Sequence, residues 1–268
     1  MTGVWSKADL HVHTTHSDGH ASVKEVLEYA ARHTDLGILA ITDHDTIEGA
    51  LEAESLAGEY GVEVVVGEEI STAEGELLAL FVEQKVPPGL PTSETIAAVH
   101  DQGGLAVAAH PYDRLTPSLG RRGLPRRASG LEWPLDAIET FNAGLPLAGG
   151  NRRAAATAAV LGMPVLGSSD SHHPKTIGYG HTLFPGRGVV DLRAAIELGR
   201  TVAAGRYWGL SRTAEVIGLF VYRELATRRS VRESGHRAKR RLQTSPHTRS
   251  GPGVRVARAP PRDARCPR

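Results

Sequence analysis

Between residue 8 and about 205, short apolar or β-branched runs alternate with helical patterns, and five of the runs end in a histidine, a carboxylate or both. Leu10–Val12, Leu36–Thr42, Val62–Gly67, Leu77–Val82, Leu105–Ala109, Ala137–Phe141 and Pro164–Ser168 read as buried strands. Helical patterns separate most of them. One is capped by Ser22 and runs through His33, with Val23, Val26, Leu27 and Ala30 on one face; others cover Ile47–Tyr60, Thr92 or Ser93 to the Gly103-Gly104 stop, Arg152–Leu161 and Val189–Ala204. Buried strands alternating with helices imply right-handed βα units around a mostly parallel sheet. About seven units in some 200 residues suit an α/β TIM-like barrel, with an open sheet as the alternative.

The chain divides by charge. Residues 228–268 carry 13 Lys/Arg against 2 Asp/Glu, leaving residues 1–227 with 18 basic and 28 acidic side chains. Residues 1–210 are expected to form the barrel, 211–229 a C-terminal amphipathic helix (Ala214, Ile217, Phe220, Val221, Leu225), and 230–268 a disordered basic tail. No aromatic residue follows Tyr222, so the tail offers no stacking platform for single-stranded nucleic acid, and the acidic body disfavours broad electrostatic binding. No run of about 18 apolar residues marks a membrane span. The N-terminal MTGVWSKADLHVH lacks the basic-then-apolar order of a secretory signal, and Cys266 is the only cysteine. A cytoplasmic location is the expectation. The longest irregular stretch inside the body, 113–134, follows His110 and holds five arginines.

Phosphate-cradling, dinucleotide, H-E-x-x-H, C-x-x-C and nucleophile-elbow motifs are all missing. What remains is histidine and carboxylate. His11 and His13 bracket Val12, and residues i and i+2 of a strand share a face, so both rings can reach one ion. Asp18 lies in the loop beyond. Asp43-His44-Asp45, Glu68-Glu69, His110, and Asp170 with His172 each follow an apolar run. In parallel α/β architectures such strand ends converge, and crowded carboxylates are most simply neutralised by cations. Mixed nitrogen and oxygen donors favour manganese, zinc or iron, and the number of donors implies two or three ions. Any one of these histidines alone reads as a hydrogen-bonded structural residue; their joint placement argues for a metal centre.

Asp9-Leu10-His11-Val12-His13-Thr14 with Ser17-Asp18-Gly19, Thr42-Asp43-His44-Asp45, Gly67-Glu68-Glu69-Ile70, Ala109-His110-Pro111 and Ser169-Asp170-Ser171-His172 resemble the ordered motifs of the PHP (polymerase and histidinol phosphatase) family, most nearly its small stand-alone phosphoesterases. The resemblance spans residues 8 to about 185. It implies a distorted (β/α)7 barrel holding up to three divalent ions that hydrolyse phosphoesters. By position, His11, His13, Glu69 and Asp170 would hold one ion, Glu69 would bridge to a second held by His110, and Asp18, His44 and His172 would hold the third. Where many members place another histidine, this chain has Glu76, which can also ligate. The implied chemistry is in-line attack on phosphorus by a hydroxide formed from a water between two cations.

Asp43 and Asp45 are cast as groups orienting a histidine. Arg114 is a candidate clamp for a substrate phosphate, set against an ion pair with Asp113 or Glu139, and His181 a candidate general acid. The expected partner is a small phosphorylated metabolite, a nucleotide or short RNA; oligomeric state is not readable. An amidohydrolase-type metal hydrolase and a non-catalytic metal-binding regulatory domain are the rivals. Two-metal amidohydrolases often bridge their ions with a carboxylated lysine, and none of Lys7, Lys24, Lys85, Lys175 or Lys239 ends a strand of the barrel.

Overall fold

A computed structural model describes residues 3–120, 124, 126–127, 130–131, 133–144 and 149–209. The expected helix at 211–229 and the basic tail at 230–268 lie outside the described residues. Eleven strands and five helices follow in the order β1 (Trp5–Val12), α1 (Val23–His33), β2 (Ile38–Ile41), α2 (Glu48–Tyr60), β3 (Glu63–Ser71), β4 (Glu76–Leu80), α3 (Thr92–Asp101), β5 (Leu105–Ala108), β6 (Arg126–Arg127), β7 (Gly130–Leu131), β8 (Ala137–Asn142), α4 (Gly149–Leu161), β9 (Val165–Ser168), β10 (Gly180–Pro185), α5 (Gly188–Glu197) and β11 (Val202–Gly205). No helix among the described residues is long and apolar enough to cross a membrane.

Nine strands form one sheet in the order β11-β10-β1-β2-β3-β4-β5-β8-β9, and β6 pairs only with β7. The runs β1-β2-β3 and β5-β8-β9 are parallel. Strand β4 lies antiparallel between them because a short turn rather than a helix joins it to β3. The far edge folds back onto the first: His13 N–H, just past β1, donates to Ser171 O at 2.9 Å, and Gly167 N–H of β9 donates to Thr182 Oγ1 of β10 at 3.0 Å. The result is a nearly closed barrel, as the alternating pattern implies.

Two strands at the end of the chain depart from expectation. The stretch Val189–Ala204 reads as one helix, but α5 stops at Glu197 and Gly199 turns the chain with φ 63°. The residues beyond it become β11, antiparallel to β10. Helix α1 matches its pattern: Ser22 and Glu25 form a reciprocal capping box, and Val23, Val26, Leu27 and Ala30 are buried.

Side chains sort into two apolar layers by strand alternation. Leu39 and Ile41, Leu77 and Ala79, and Ala106 and Ala108 pack outward with Leu27, Ala53, Val99 and Ala158 of the helices. Ala8 and Leu10, Ile38 and Ala40, Leu78 and Leu80, and Leu105 and Val107 fill the interior, closed by Leu192, Ala195 and Ile196 of α5. Phe184 is fully buried in this inner layer, a burial that contributes about 1.5–3 kcal/mol.

Candidate metal centre

The alternation that fills the interior is broken where chemistry is needed. In β1 the register slips between Asp9 and Val12, so Ala8 and Leu10 join the inner layer while Val12 joins the outer one. Beyond that bulge His11 and His13 point inward, both fully buried. A second bulge lies between Glu139 and Phe141 in β8. His110 continues β5 with φ 25°, and Asp170 continues β9 with φ 52°, both in the left-handed region that non-glycine residues avoid. Each such residue costs roughly 1–3 kcal/mol, sustained by the surrounding hydrogen bonds.

Glu69 sits at the centre and is 1% exposed. Its Oε2 lies 3.0 Å from His11 Nε2, 3.3 Å from His13 Nε2 and 3.2 Å from His44 Nδ1; its Oε1 lies 3.0 Å from His110 Nε2. Asp170 Oδ1 is 3.3 Å from His13 Nε2 and 3.5 Å from His11 Nε2. Asp18 Oδ2 is 3.2 Å from His172 Nε2 and 3.8 Å from His44 Nε2. Glu76 Oε2 reaches within 3.7 Å of His110 Nε2, and Oε1 within 4.0 Å of His44 Nδ1.

All nine side chains expected to ligate therefore converge. Four overlapping groups offer donor atoms within 4.8 Å of one another: His13, Asp18, His44 and His172; His11, Glu69 and His110; His11, His13 and Asp170; and His44, Glu69 and Glu76. The partition differs in detail from the expected one, because His13 also joins the Asp18 group and Glu76 shares His44 as well as approaching His110.

The electrostatics suit cations. Burial opposes charge on His11, yet the facing carboxylates of Glu69, Asp170 and Glu139 outweigh it and raise its pKa well above the ordinary imidazole value. Burial likewise opposes charge on His110 and His172, but Glu69 and Asp18 respectively hold their pKa values up at about 9. Burial, then the charge on His172, pushes His13 down to about 4. Both of its ring nitrogens are buried without a hydrogen-bond partner, although Glu69 and Asp170 are close. Imidazole nitrogens facing carboxylate oxygens in a water-excluded pocket, with His13 held neutral, are the chemistry of a divalent ion site, so the residues fit the expected metals.

Four candidates fall elsewhere. His181 lies on the half-exposed face of β10, its Nδ1 3.1 Å from Gly178 O, and it is not among the converging donors. Arg114 is exposed on the loop after His110, its main-chain N–H donating to Asp113 at 2.6 Å. Asp43 and Asp45 do not orient a ring. Asp43 accepts from Thr14 N, Thr14 Oγ1 and Ser17 Oγ, fixing the loop that carries Asp18, and Asp45 accepts from Ser71 N. The ring-orienting carboxylate is Glu139, whose Oε1 accepts from His11 Nδ1 at 3.1 Å. Its position inside an apolar run gives no motif.

A sheet-lined pocket of shared imidazoles and carboxylates at the carboxyl ends of barrel strands defines a metal-dependent hydrolase type of site. The family model described as PHP domain matches residues 9–129, and that described as PHP-associated matches residues 149–201. This chain belongs to the PHP family of metal-dependent phosphoesterases. An uncharacterised protein of Methanocaldococcus jannaschii is 40% identical over 148 residues, which cover 51% of this chain and 82% of the relative. A phosphoribosyl 1,2-cyclic phosphate 1,2-diphosphodiesterase of Eggerthella lenta is 42% identical over 85 residues, 30% of this chain and 32% of that enzyme, so the match spans about a third of its length. Among solved structures, a two-domain protein of Bacteroides vulgatus containing a predicted PHP-like metal-dependent phosphoesterase superposes with TM-score 0.59 at 19% identity, covering 76% of this chain and 66% of that one. The last likeness concerns the fold alone.

Proposed function

We propose that this protein hydrolyses a phosphoester of a small phosphorylated metabolite, a nucleotide or a short oligonucleotide. The observation that carries the proposal is the convergence of four imidazoles on the one buried carboxylate of Glu69, with Asp18, Glu76, Asp170 and His172 completing the donor set. His11, His13 and Asp170 would hold one ion, Glu69 and His110 with Glu76 a second, and Asp18, His44 and His172 a third. Bound divalent ions of manganese, zinc or iron supply Lewis acidity toward phosphate oxygens and lower the pKa of water.

The chain's own groups do the rest. Glu69 presents one oxygen to His11, His13 and His44 and the other to His110, the placement of a bridging ligand. Arg114, exposed on the loop that follows His110, would bind substrate phosphate oxygens through its guanidinium fork. Tyr112 and Leu119, buried in the outer apolar layer, anchor that loop, and Tyr112 Oη lies 2.9 Å from Thr157 Oγ1 of α4. The bridging placement is filled by Glu69 rather than by a modified lysine, which supports phosphoester over amide chemistry.

Purified protein with added manganese, offered mononucleotides, 3',5'-bisphosphates and short RNA beside an amide and deamination panel, should release product only from the phosphoesters. His13→Ala and Asp170→Ala should each abolish turnover with the circular dichroism spectrum retained. Unchanged turnover in either variant, or turnover confined to the amide panel, refutes the assignment.

A further inference from the structure

Glu139 and Asn142 lie in β8 at a spacing of three, and the bulge between Glu139 and Phe141 turns both toward the cluster. Both are fully buried. Glu139 accepts four hydrogen bonds, two on each oxygen. His11 Nδ1 at 3.1 Å and Ser168 Oγ donate to Oε1; the main-chain N–H of His110 at 2.6 Å and Asn142 Nδ2 at 3.1 Å donate to Oε2. An ionised carboxylate only accepts, so His11 Nδ1 keeps its proton, and Nε2 is the nitrogen whose proton an ion would displace. That nitrogen faces Glu69 and Asp170.

Asn142 extends the arrangement to another ligand. Its Oδ1 accepts from Gly144 N–H at 2.9 Å, which fixes the amide so that Nδ2 faces the carboxylates. One Nδ2 hydrogen goes to Glu139 and the other to Asp170 Oδ2 at 3.0 Å. Asp170 is thereby left with Oδ1 alone toward His11, His13 and His172. The main chain of Asn142 is held in turn by Asn151 of α4, which accepts from Asn142 N at 3.1 Å and donates to Asn142 O at 2.9 Å.

We propose that Glu139 and Asn142 form a positioning pair that sets the tautomer of His11, the left-handed turn of His110 and the single free oxygen of Asp170, so that one strand controls how three ligands meet the ions. The proposal rests on the metal-centre reading above. Outer-shell partners of ligands typically change metal affinity by about 10–100-fold when removed.

Glutamine at 139 has one accepting oxygen for four donors, so in either orientation its amide N–H₂ confronts two of them. Asn142→Ala removes the tether on Asp170 and leaves the charge of Glu139 in place. The full chain, stripped of metal, is titrated with manganese; affinity and bound ions per chain are measured, together with the melting temperature of each metal-free form. Glu139→Gln is expected to weaken the ions held through His11 by about 10–100-fold while the ion held by Asp18, His44 and His172 is retained. Asn142→Ala is expected to weaken the ion held by Asp170 about tenfold with little change in the metal-free melting temperature.

Wild-type affinity and ion number in both variants overturn the proposal, as does a loss of all ions together in step with a lowered melting temperature, which is the mark of a merely structural role. Should Glu139→Gln not fold, Asn142→Ala decides by the same measurements. A wild-type chain that binds no manganese, zinc or iron refutes the metal-centre reading itself, whereas variants indifferent to substitution refute only the positioning pair.

Discussion

Filling the centre with divalent ions should expel at least about two protons at pH 7.5. In the metal-free protein His110 and His172 titrate at about 9, so each retains about 0.97 of a proton at that pH. His11, buried but raised well above the ordinary imidazole range by the facing carboxylates, adds to this, while His13, pushed down to about 4, adds none. Glu76, raised to about 7 by burial and the charge of Glu69, adds a fraction. The carboxyls of Glu69, Asp18 and Asp170 are held below their ordinary range by the facing imidazoles despite burial, so they are ionised and release nothing. Three imidazoles of ordinary pKa would release only about 0.3 of a proton together.

The sign for folding is opposite to that for metal binding. A raised imidazole pKa stabilises the metal-free fold fully below about 6.5, and this contribution is lost as pH rises through about 9. Metal affinity climbs over the same window, by up to about tenfold per pH unit for each proton displaced. Titration calorimetry in buffers of different ionisation enthalpy counts the protons directly. Release of fewer than two at pH 7.5, or an affinity flat between pH 6.5 and 9, would show that the carboxylates do not hold the imidazoles charged.

Two further substitutions test the scaffold around the centre. A Cβ on Gly49 would stand 2.3 Å from Asp43 Oδ2 and 3.0 Å from Thr14 Oγ1. Gly49→Ala should lower the denaturation midpoint by an amount equivalent to about 1–3 kcal/mol of overpacking, more than the ~1 kcal/mol alanine gains in a helix, and a raised midpoint would contradict this. Phe184→Ala leaves a void in the inner layer and should cost about 3–5 kcal/mol in the same measurement. A loss below about 1 kcal/mol would mean that the layer collapses around the gap.

Most of the converging donors were legible because they end apolar runs, and the carboxyl ends of barrel strands are where a parallel architecture brings side chains together; Asp18 lies in a loop and Glu76 opens β4. Side-chain direction was not legible. Asp43 and Asp45 flank His44 in sequence, yet their carboxylates turn to Thr14, Ser17 and Ser71. Glu139 and Asn142 share a face only because a bulge interrupts strict alternation, and no periodicity signals a bulge. His181 fails for a related reason: it belongs to β10, whose antiparallel course has the buried alternation on Thr182 and Phe184. Strand β11 was hidden by Val189–Ala204, where apolar residues continue past the glycine that follows α5.

Closure of the barrel pairs Trp5 with Pro185 and links His13 to Ser171. Contacts so distant along the chain carry a loop-closure cost before any of them is rewarded. During synthesis, His11 and His13 therefore wait for Asp170 and for the enclosing strand until Pro185 has left the ribosome. A metal ion meeting the nascent polypeptide before then finds only part of its coordination shell.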